Sequence, residues 1–364
     1  MAESVDALVS NTSGATHPGS IPGLGTETEK VEKLSPFSFF YASQLLHPWV
    51  YIKIIITLRD INKKRTYMAV TANNNTSEIV AQTGYSHSKE RISILMAVYN
   101  GMKYLPEQLA SLKAQTHTNW VLYIQDDLST DGTAEYLQAE AEKDIRIKIL
   151  ANSTKLGAMK NFMTLLAQVD AQYYMFCDQD DVWAPTKIEK SIACIKAAEA
   201  EHGPDTPLIA HTDLTVVDAN LLQIAPSFWE MSRIAPSLLT TFDEQAGHNL
   251  VTGCTMLFNS AARKVSLKYS DETLMHDAWI LLCTLKNGGK VTALPEQTIL
   301  YRQHGKNTLG AHDIRKNYIS KRLMALRSVI KENCANYKML KSAGYGNIFK
   351  YIYYKVKYYV LYKK

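Results

Sequence analysis

From residue 92 the chain alternates between short apolar runs and amphipathic stretches. ISILMAVY (92–99) is a nearly unbroken apolar strand, and LPEQLASLKAQT (105–116) follows with apolar residues at helical spacing. WVLYIQDD (120–127) and TAEYLQAEAEKD (133–144) repeat the pair. So do IRIKILAN (145–152) with AMKNFMTLLAQV (158–169), and YYMFCD (173–178) with KIEKSIACIKAAEAE (187–201). Strand and helix taking turns predicts a parallel sheet wrapped by crossover helices, and continuous apolar strands predict burial on both sheet faces. After Pro207 the rhythm loosens. LIAHTDLTVVD (208–218), LVTGCTMLFN (250–259) and KVTALPEQTILYRQHG (290–305) read as strands, and MHDAWILLCTLKNG (275–288) reads as a helix opened by an acid. TANNNTSEIVAQTGYSHSKE (71–90) is polar, lacks a sustained apolar period and reads as a linker. The pattern gives an α/β fold class with no internal repeat.

Composition changes this picture little. Of the 364 residues 46% are apolar and 21% charged, ordinary values for a globular chain with ample core. The five cysteines, at 177, 194, 254, 283 and 334, form no CxxC pair. That usage fits a reduced, cytosolic setting and argues against a disulfide framework or a zinc site. Charge is more telling. From Arg315 to Lys364 thirteen Lys or Arg face one acid, Glu332, so this end carries +12 against −7 for the rest of the +5 chain. An acidic body with a strongly basic end predicts an anionic partner for that end.

The opening residues lack the basic n-region of a secretory signal. LSPFSFFYASQLLHPWVYI (34–52) is uncharged but holds two prolines, a histidine and three serines, and Lys53 follows it. Against the roughly 20 mostly apolar residues of a spanning helix, it is a poor candidate. An interfacial segment and a loosely folded extension are the two readings left for it, and a start site upstream of the true one is a further reading of residues 1–89. The chain thus divides into an extension at 1–89, a domain at 90–312 and a basic helical appendage at 313–364.

Candidate chemistry sits where strands end. YYMFCDQDDVW (173–183) closes an apolar run with three carboxylates in four positions, Asp178, Asp180 and Asp181. That packing costs Coulomb energy unless a cation lies among them, although a solvated turn has the same composition. In an open parallel sheet ligands bind at the carboxyl ends of the strands, where strand order reverses. The exits here are AVYNG, DDLSTDGT and DQDD, three polar sets suited to one crevice. If the strand direction persists, period-2 geometry puts Asp178 and Asp180 on one side. Two hard oxygens there suit Mg²⁺ or Mn²⁺ held jointly with substrate phosphates. An EF-hand is excluded because its sixth position, here Trp183, must be Gly.

ISILMAVYNG, YIQDDLSTDGT and FCDQDD together resemble family-2 glycosyltransferases of the GT-A nucleotide-diphospho-sugar transferase fold. HTDLTVVD, VTGCTMLFN, MHDAW and YRQHGKNTLGA narrow the resemblance to bacterial rhamnosyltransferases of rhamnose-polysaccharide and O-antigen biosynthesis, over residues 90–312. The resemblance implies a nucleobase pocket lined by Ala97, Val98 and Tyr99. It implies that Asp127 accepts the base N3–H, with Asp126 supporting the turn. Leu128 stands where the family usually has Gly. Lys160 and Asn161 match a basic–Asn pair near the nucleotide. Asp180 is the implied metal ligand, with Asp178 acting directly or through ribose and Asp181 holding local structure. Asp277 falls at the general base. His304 completes the metal shell or touches phosphate, with Arg302 and Gln303 nearby.

Read without the resemblance, Asp277 is a helix N-terminal acid, Asp126 and Asp127 are N-caps, His304 is a loop histidine, and Trp183 and Trp279 are core. NIFKYIYYKVKYYVLYKK (347–364) interleaves lysines with tyrosines and aliphatics, which suits an anionic membrane surface. Single-stranded nucleic acid and a helical cap packed on the domain are the rival readings. The family's acceptor, a glycan on a polyprenyl lipid, favours membrane over nucleic acid. The implied activity is inverting, metal-dependent transfer of L-rhamnose from dTDP-L-rhamnose to a lipid-linked saccharide, by a cytoplasmic enzyme peripheral to the inner face of the membrane. The alternatives are a UDP-sugar hexosyl or N-acetylhexosaminyl transferase and a non-catalytic scaffold. A nucleotidyltransferase would need a Gly-rich basic loop that AVYNGMKY does not supply.

Overall fold

A computed structural model describes residues 90–236, 240–248, 251–304 and 326–362. The extension at 1–89 with its apolar segment 34–52, the GKNTLGA part of the last motif and the start of the appendage lie outside the described residues.

The predicted alternation forms as β1 (Ile92–Val98), α1 (Leu105–Lys113), β2 (Trp120–Asp126), α2 (Thr133–Lys143), β3 (Ile147–Leu150), α3 (Ala158–Gln168), β4 (Tyr173–Cys177), a two-residue β5 (Val182–Trp183) and α4 (Lys187–His202). β1 pairs in parallel with β2 on one side and β4 on the other, and β3 adds in parallel to β2. The order 3-2-1-4 makes the β1/β4 boundary the topological switch point, where a crevice opens beyond the strand ends. Continuous apolar strands are needed because both faces are covered. Ile92, Ile94, Met96 and Val98 pack with Leu105, Leu109 and Leu112 of α1 and with Ile188, Ile192 and Ile195 of α4. Leu95 faces the opposite way, into a second core with Phe162, Leu165 and Leu166 of α3. Alternation along one strand therefore feeds two cores.

Past β4 the sheet turns mixed. β6 (Leu208–Val217), β7 (Gln223–Ala225), α5 (Phe228–Met231), α6 (Phe242–Gly247), β8 (Met256–Asn259), α7 (Ser260–Ser266), α8 (His276–Lys286) and β9 (Lys290–Arg302) complete a nine-stranded sheet. β8 is antiparallel to β4 and to β6, β9 is parallel to β6, and β5 is antiparallel to β9. The sheet is thus mostly parallel at its centre, with antiparallel members beyond it. The expected strand at 250–259 is only half strand. Gly253–Thr255 forms a 3₁₀ turn before β8 begins at Met256. That turn is what carries a backbone N–H to the first turn of α8.

The described part of the appendage is two helices, α9 (Leu326–Ser342) and α10 (Ile348–Tyr362). Met339, Leu340, Ala343, Tyr345 and Tyr351 are buried in the second core. α10 lies so close to α6 that a Cβ on Gly247 would meet the Lys355 backbone nitrogen at 3.0 Å. Lys350 pairs with Asp243 at 2.5 Å and Lys357 with Glu244 at 3.4 Å. Part of the basic charge read from the sequence is therefore matched by acids of the domain itself, as the cap reading expects. Phe349 and Tyr353 stay exposed on the outer side of α10. Among the described residues no helix is long and apolar enough to cross a membrane.

Candidate active site

β1 ends at Val98, and Tyr99 beyond it is exposed, with Ala97 half-buried and Val98 buried behind it. Tyr99 is held from two directions. Its N–H donates to Gln179 Oε1 at 2.8 Å, and Gln179 Nε2 donates back to its carbonyl at 3.1 Å. Lys155 Nζ lies 3.5 Å from the centre of its ring, an attractive cation–π contact. Gln179 is the residue between the predicted acids that sequence reading passed over. Gly101 makes room for it, because a Cβ there would stand 2.6 Å from Gln179 Oε1. Gly101→Ala should push the amide off Tyr99. Losing two hydrogen bonds that hold the ring, it should weaken nucleotide binding about tenfold while the melting temperature moves by only about 2–4 °C. Unchanged affinity by calorimetry would show that the Gln179 bridge does not set the position of Tyr99.

At the end of β2, Asp126 accepts from the Ser129 N–H at 2.9 Å and from the Ser129 hydroxyl. It pins a turn in which Leu128 adopts φ +62°, a left-handed conformation that glycine takes more easily. Asp127 is buried. Its Oδ1 accepts from Leu156 N–H at 2.7 Å and its Oδ2 from Gly157 N–H at 2.9 Å, with Asn152 Nδ2 at 3.2 Å from Oδ1. Burial works to raise its pKa, but Asn161, the two backbone donors and the Lys155 charge together hold it below the usual carboxylate range. The lysine brought to this corner is Lys155. Lys160 Nζ is instead 3.9 Å from the exposed Asp271.

The strand direction does not persist past Cys177. The chain turns at Gln179 and Asp180, so the acids separate by contact rather than by alternation. Asp180 Oδ2 lies 2.7 Å from His304 Nε2, and the His304 ring stacks on Tyr104 at 4.8 Å. Donor atoms of Asp178 and Asp181, with the Cys254 sulfur, all lie within 4.8 Å of one another. Asp181 Oδ1 accepts from Arg302 N–H at 3.1 Å, and its buried Oδ2 has no hydrogen-bond partner among the described residues. Burial, then Asp180, then Asp277 push Asp178 up to about 7. Burial also pushes the Cys254 thiol well up, so it is neutral. Carboxylates, an imidazole and an orphaned buried oxygen fit a small hard divalent cation. Arg302 turns its guanidinium into the protein, where Nε donates to Asp180 O at 2.8 Å, Nη1 to Ala219 O at 2.8 Å and Nη2 to Glu107. It braces the acid loop. Lys187 is buried beside Trp183 with its Nζ 4.6 Å from the ring, and burial lowers it to about 8.

Asp277, in the first turn of α8, is 7% exposed. Its Oδ2 accepts from Gly253 N–H at 3.0 Å and its Oδ1 from Ala278 N–H at 2.6 Å. A Cβ on Gly253 would meet His276 Nε2 at 3.0 Å and Asp277 Oδ2 at 3.4 Å, so a larger residue there would have to push these neighbours back. His276 is buried, stacked on Phe162 at 4.1 Å with the edge of Phe176 at 4.5 Å. Cys254, grouped with Asp178 and Asp181, is the neighbour of Gly253, whose N–H bonds Asp277, so Asp277 is brought beside the acid cluster. Trp183 is buried and Trp279 Nε1 donates to Ser266 O at 2.8 Å, a core role for each. Sequence reading missed Gln179, Cys254, Gly253 and the bracing role of Arg302. All four lay inside quoted motifs, without any spacing rule to single out these roles.

Residues 93–265 match the profile of glycosyl transferase family 2. The chain is 29% identical over 233 residues to dTDP-rhamnosyl transferase RfbG of Shigella flexneri, covering 60% of this chain and 74% of that protein. It is 33% identical over 102 residues to the Escherichia coli UDP-Glc:alpha-D-GlcNAc-diphosphoundecaprenol beta-1,3-glucosyltransferase WfgD, covering 28% of this chain and 40% of that one. Among solved structures, S. aureus TarS 1–349 in complex with UDP-GlcNAc aligns at 18% identity with a TM-score of 0.46, covering 60% of each chain. The match therefore spans less than two thirds of that structure's chain and under half of the glucosyltransferase. Residues 93–265, just under half of the chain, form a glycosyl transferase family 2 domain, and the mostly parallel, helix-flanked sheet is the GT-A fold.

Proposed function

We propose that the chain is an inverting glycosyltransferase that moves L-rhamnose from dTDP-L-rhamnose to a lipid-linked saccharide. The observation that carries the transferase reading is the convergence of Asp178, Asp180, Asp181, His304 and Asp277 on the switch-point crevice of a family-2 domain. The rhamnosyl reading is supported by the likeness to RfbG. On this reading the base and sugar of the nucleotide lie along Tyr99 and Asp127. Asp178, Asp180 and Asp181, with His304, are the residues that would hold Mg²⁺ or Mn²⁺. Such a cation, when bound, neutralises the diphosphate as leaving group. Asp277 takes the proton from the acceptor hydroxyl as that oxygen attacks the anomeric carbon. The bond to the diphosphate breaks on the opposite side, and its electron pair leaves with the nucleotide.

The acceptor's lipid would keep the enzyme at the cytoplasmic membrane face. Support for that contact is the basic α10, with Phe349 and Tyr353 exposed among its lysines. Nucleic acid has no part in this reading. A second reading, a UDP-sugar donor, is favoured by the likeness to WfgD. Calorimetric titration of dTDP and of UDP, each with and without Mn²⁺, separates them. Metal-dependent dTDP binding with UDP clearly weaker is the expected result. A UDP preference moves the donor to a UDP-sugar, and no binding of either nucleotide overturns the transferase reading.

A further inference from the structure

β6 carries a feature that the proposed chemistry leaves unused. Thr212 is registered with Leu294 of β9, but the next residue, Asp213, is registered with Gln297. Pro295 and Glu296 therefore bulge out of the ladder. Bulges of this kind concentrate beside active sites, where they re-aim side chains. Here the bulge opens a cavity of about 360 Å³ whose lining includes Asp213, Trp229, Glu230, Arg233, Pro295 and Gln297.

The cavity is built rather than incidental. Asp213 is 1% exposed, and a single carboxylate ties three segments together. Its Oδ2 accepts from Ser227 Oγ at 2.5 Å and Gln297 Nε2 at 3.0 Å, while its Oδ1 accepts from Trp229 N–H at 3.1 Å and Leu214 N–H at 2.8 Å. That charge is fully hydrogen-bonded, so it fixes the walls and is not spent on a ligand. Trp229 is half-buried, its ring 5.4 Å from that of His211. Arg233 adopts φ +51°, a strained conformation for a side-chain-bearing residue. The backbone at Ile234 is held by the Ile234 N–H to Trp229 O bond at 2.7 Å, and Tyr358 of α10 donates to the Arg233 carbonyl at 3.1 Å. The Arg233 guanidinium has no ion-pair partner among the described residues.

Its position links it to the catalytic crevice. His211, two residues before Asp213 on the same face of β6, is registered with Met256 of β8. Met256 directly follows the 3₁₀ turn whose Gly253 holds Asp277. The cavity and the proposed base are thus one strand apart.

An indole face, a guanidinium and an amide around a space of this size match a pyranose ring. The electron-rich aromatic face takes the C–H side of the sugar, and the polar groups take its hydroxyls. We propose that this cavity is a saccharide subsite that binds the acceptor glycan one or two pyranose units away from the hydroxyl that receives the transferred sugar. The acceptor role rests on the transferase reading above; sugar binding in the cavity does not.

The test uses the full chain labelled with 5-fluorotryptophan, the Trp229 resonance being assigned with Trp229→Phe. Methyl α-L-rhamnopyranoside, methyl α-D-glucopyranoside and methyl N-acetyl-α-D-glucosaminide are titrated in turn, with and without dTDP. The expected result is a saturable shift of the Trp229 resonance by at least one glycoside. Arg233→Gln, at an exposed position, should weaken that response about tenfold through lost charge-assisted hydrogen bonds. No shift with any glycoside overturns the subsite. A shift in a protein that binds neither dTDP nor UDP leaves the subsite standing and removes the transferase reading.

Discussion

Asp277→Asn is expected to lower sugar transfer by about a thousandfold, the contribution of a positioned general base, with nucleotide affinity little changed. Two structural facts shape this outcome. Both carboxylate oxygens accept backbone N–H groups, from Gly253 at 3.0 Å and from Ala278 at 2.6 Å. An asparagine satisfies only one of them and turns its NH₂ toward the other, which costs about 1–3 kcal/mol of stability. A melting curve must therefore accompany the rate measurement. Asp277 also contributes to the raised pKa of Asp178, after burial and Asp180. Removing its charge makes Asp178 easier to ionise, so metal-assisted nucleotide binding at neutral pH should hold or tighten slightly. Near-normal turnover in a folded Asp277→Asn protein would refute the base assignment.

Asp180→Ala should instead act on binding. Metal-dependent affinity for dTDP should fall by about a hundredfold or more, since even partners one shell out from a metal contribute 10–100-fold. Binding measured without metal should change little. The same experiment has a pH signature. In the metal-free protein Asp178 is pushed up to about 7 by burial first and by Asp180 next. Below that value a cation must displace its proton, so Mn²⁺ affinity should rise as pH increases through about 7. Taking away the Asp180 charge lowers the Asp178 pKa and moves that rise to lower pH. Calorimetry in two buffers of different ionisation enthalpy reads the released proton directly. Mn²⁺-dependent dTDP affinity equal to wild type in Asp180→Ala would take Asp180 out of the metal site.

The free-energy cost of leaving Asp178 and Asp181 together in a buried setting is also a cost to the fold. A carboxylate whose folded-state pKa lies above its unfolded value destabilises the native state as pH rises from the unfolded value toward the raised one. A bound cation relieves this, which is why the metal and the nucleotide should stabilise the chain as well as serve the reaction.

How much of this was legible in the residues themselves follows from the range of the forces involved. The β–α alternation through His202 was readable because a strand's burial and a helix's apolar stripe are written in adjacent positions. The same holds for the polar exits of β1, β2 and β4, and for Asp277 at the start of a helix. The 3₁₀ turn at Gly253–Thr255 was not readable, because VTGC is apolar enough for a strand and only the need to reach α8 bends it. Nor was the sorting of the acids. Period-2 geometry ties Asp178 to Asp180 only while the strand continues, and it stops at Cys177. What decides instead are contacts across long stretches of chain: Gln179 with Tyr99, 80 residues apart, Arg302 with Asp181, 121 apart, and His304 with Asp180, 124 apart. In the same way composition marked the last fifty residues as basic, but Asp243 and Glu244, on α6, decide which lysines are matched at home. Local pattern determined the scaffold and where its exits lie, because secondary structure is set by neighbours along the chain. Tertiary structure decided which exit residues meet, because a buried charge is settled only by whatever distant group packs against it.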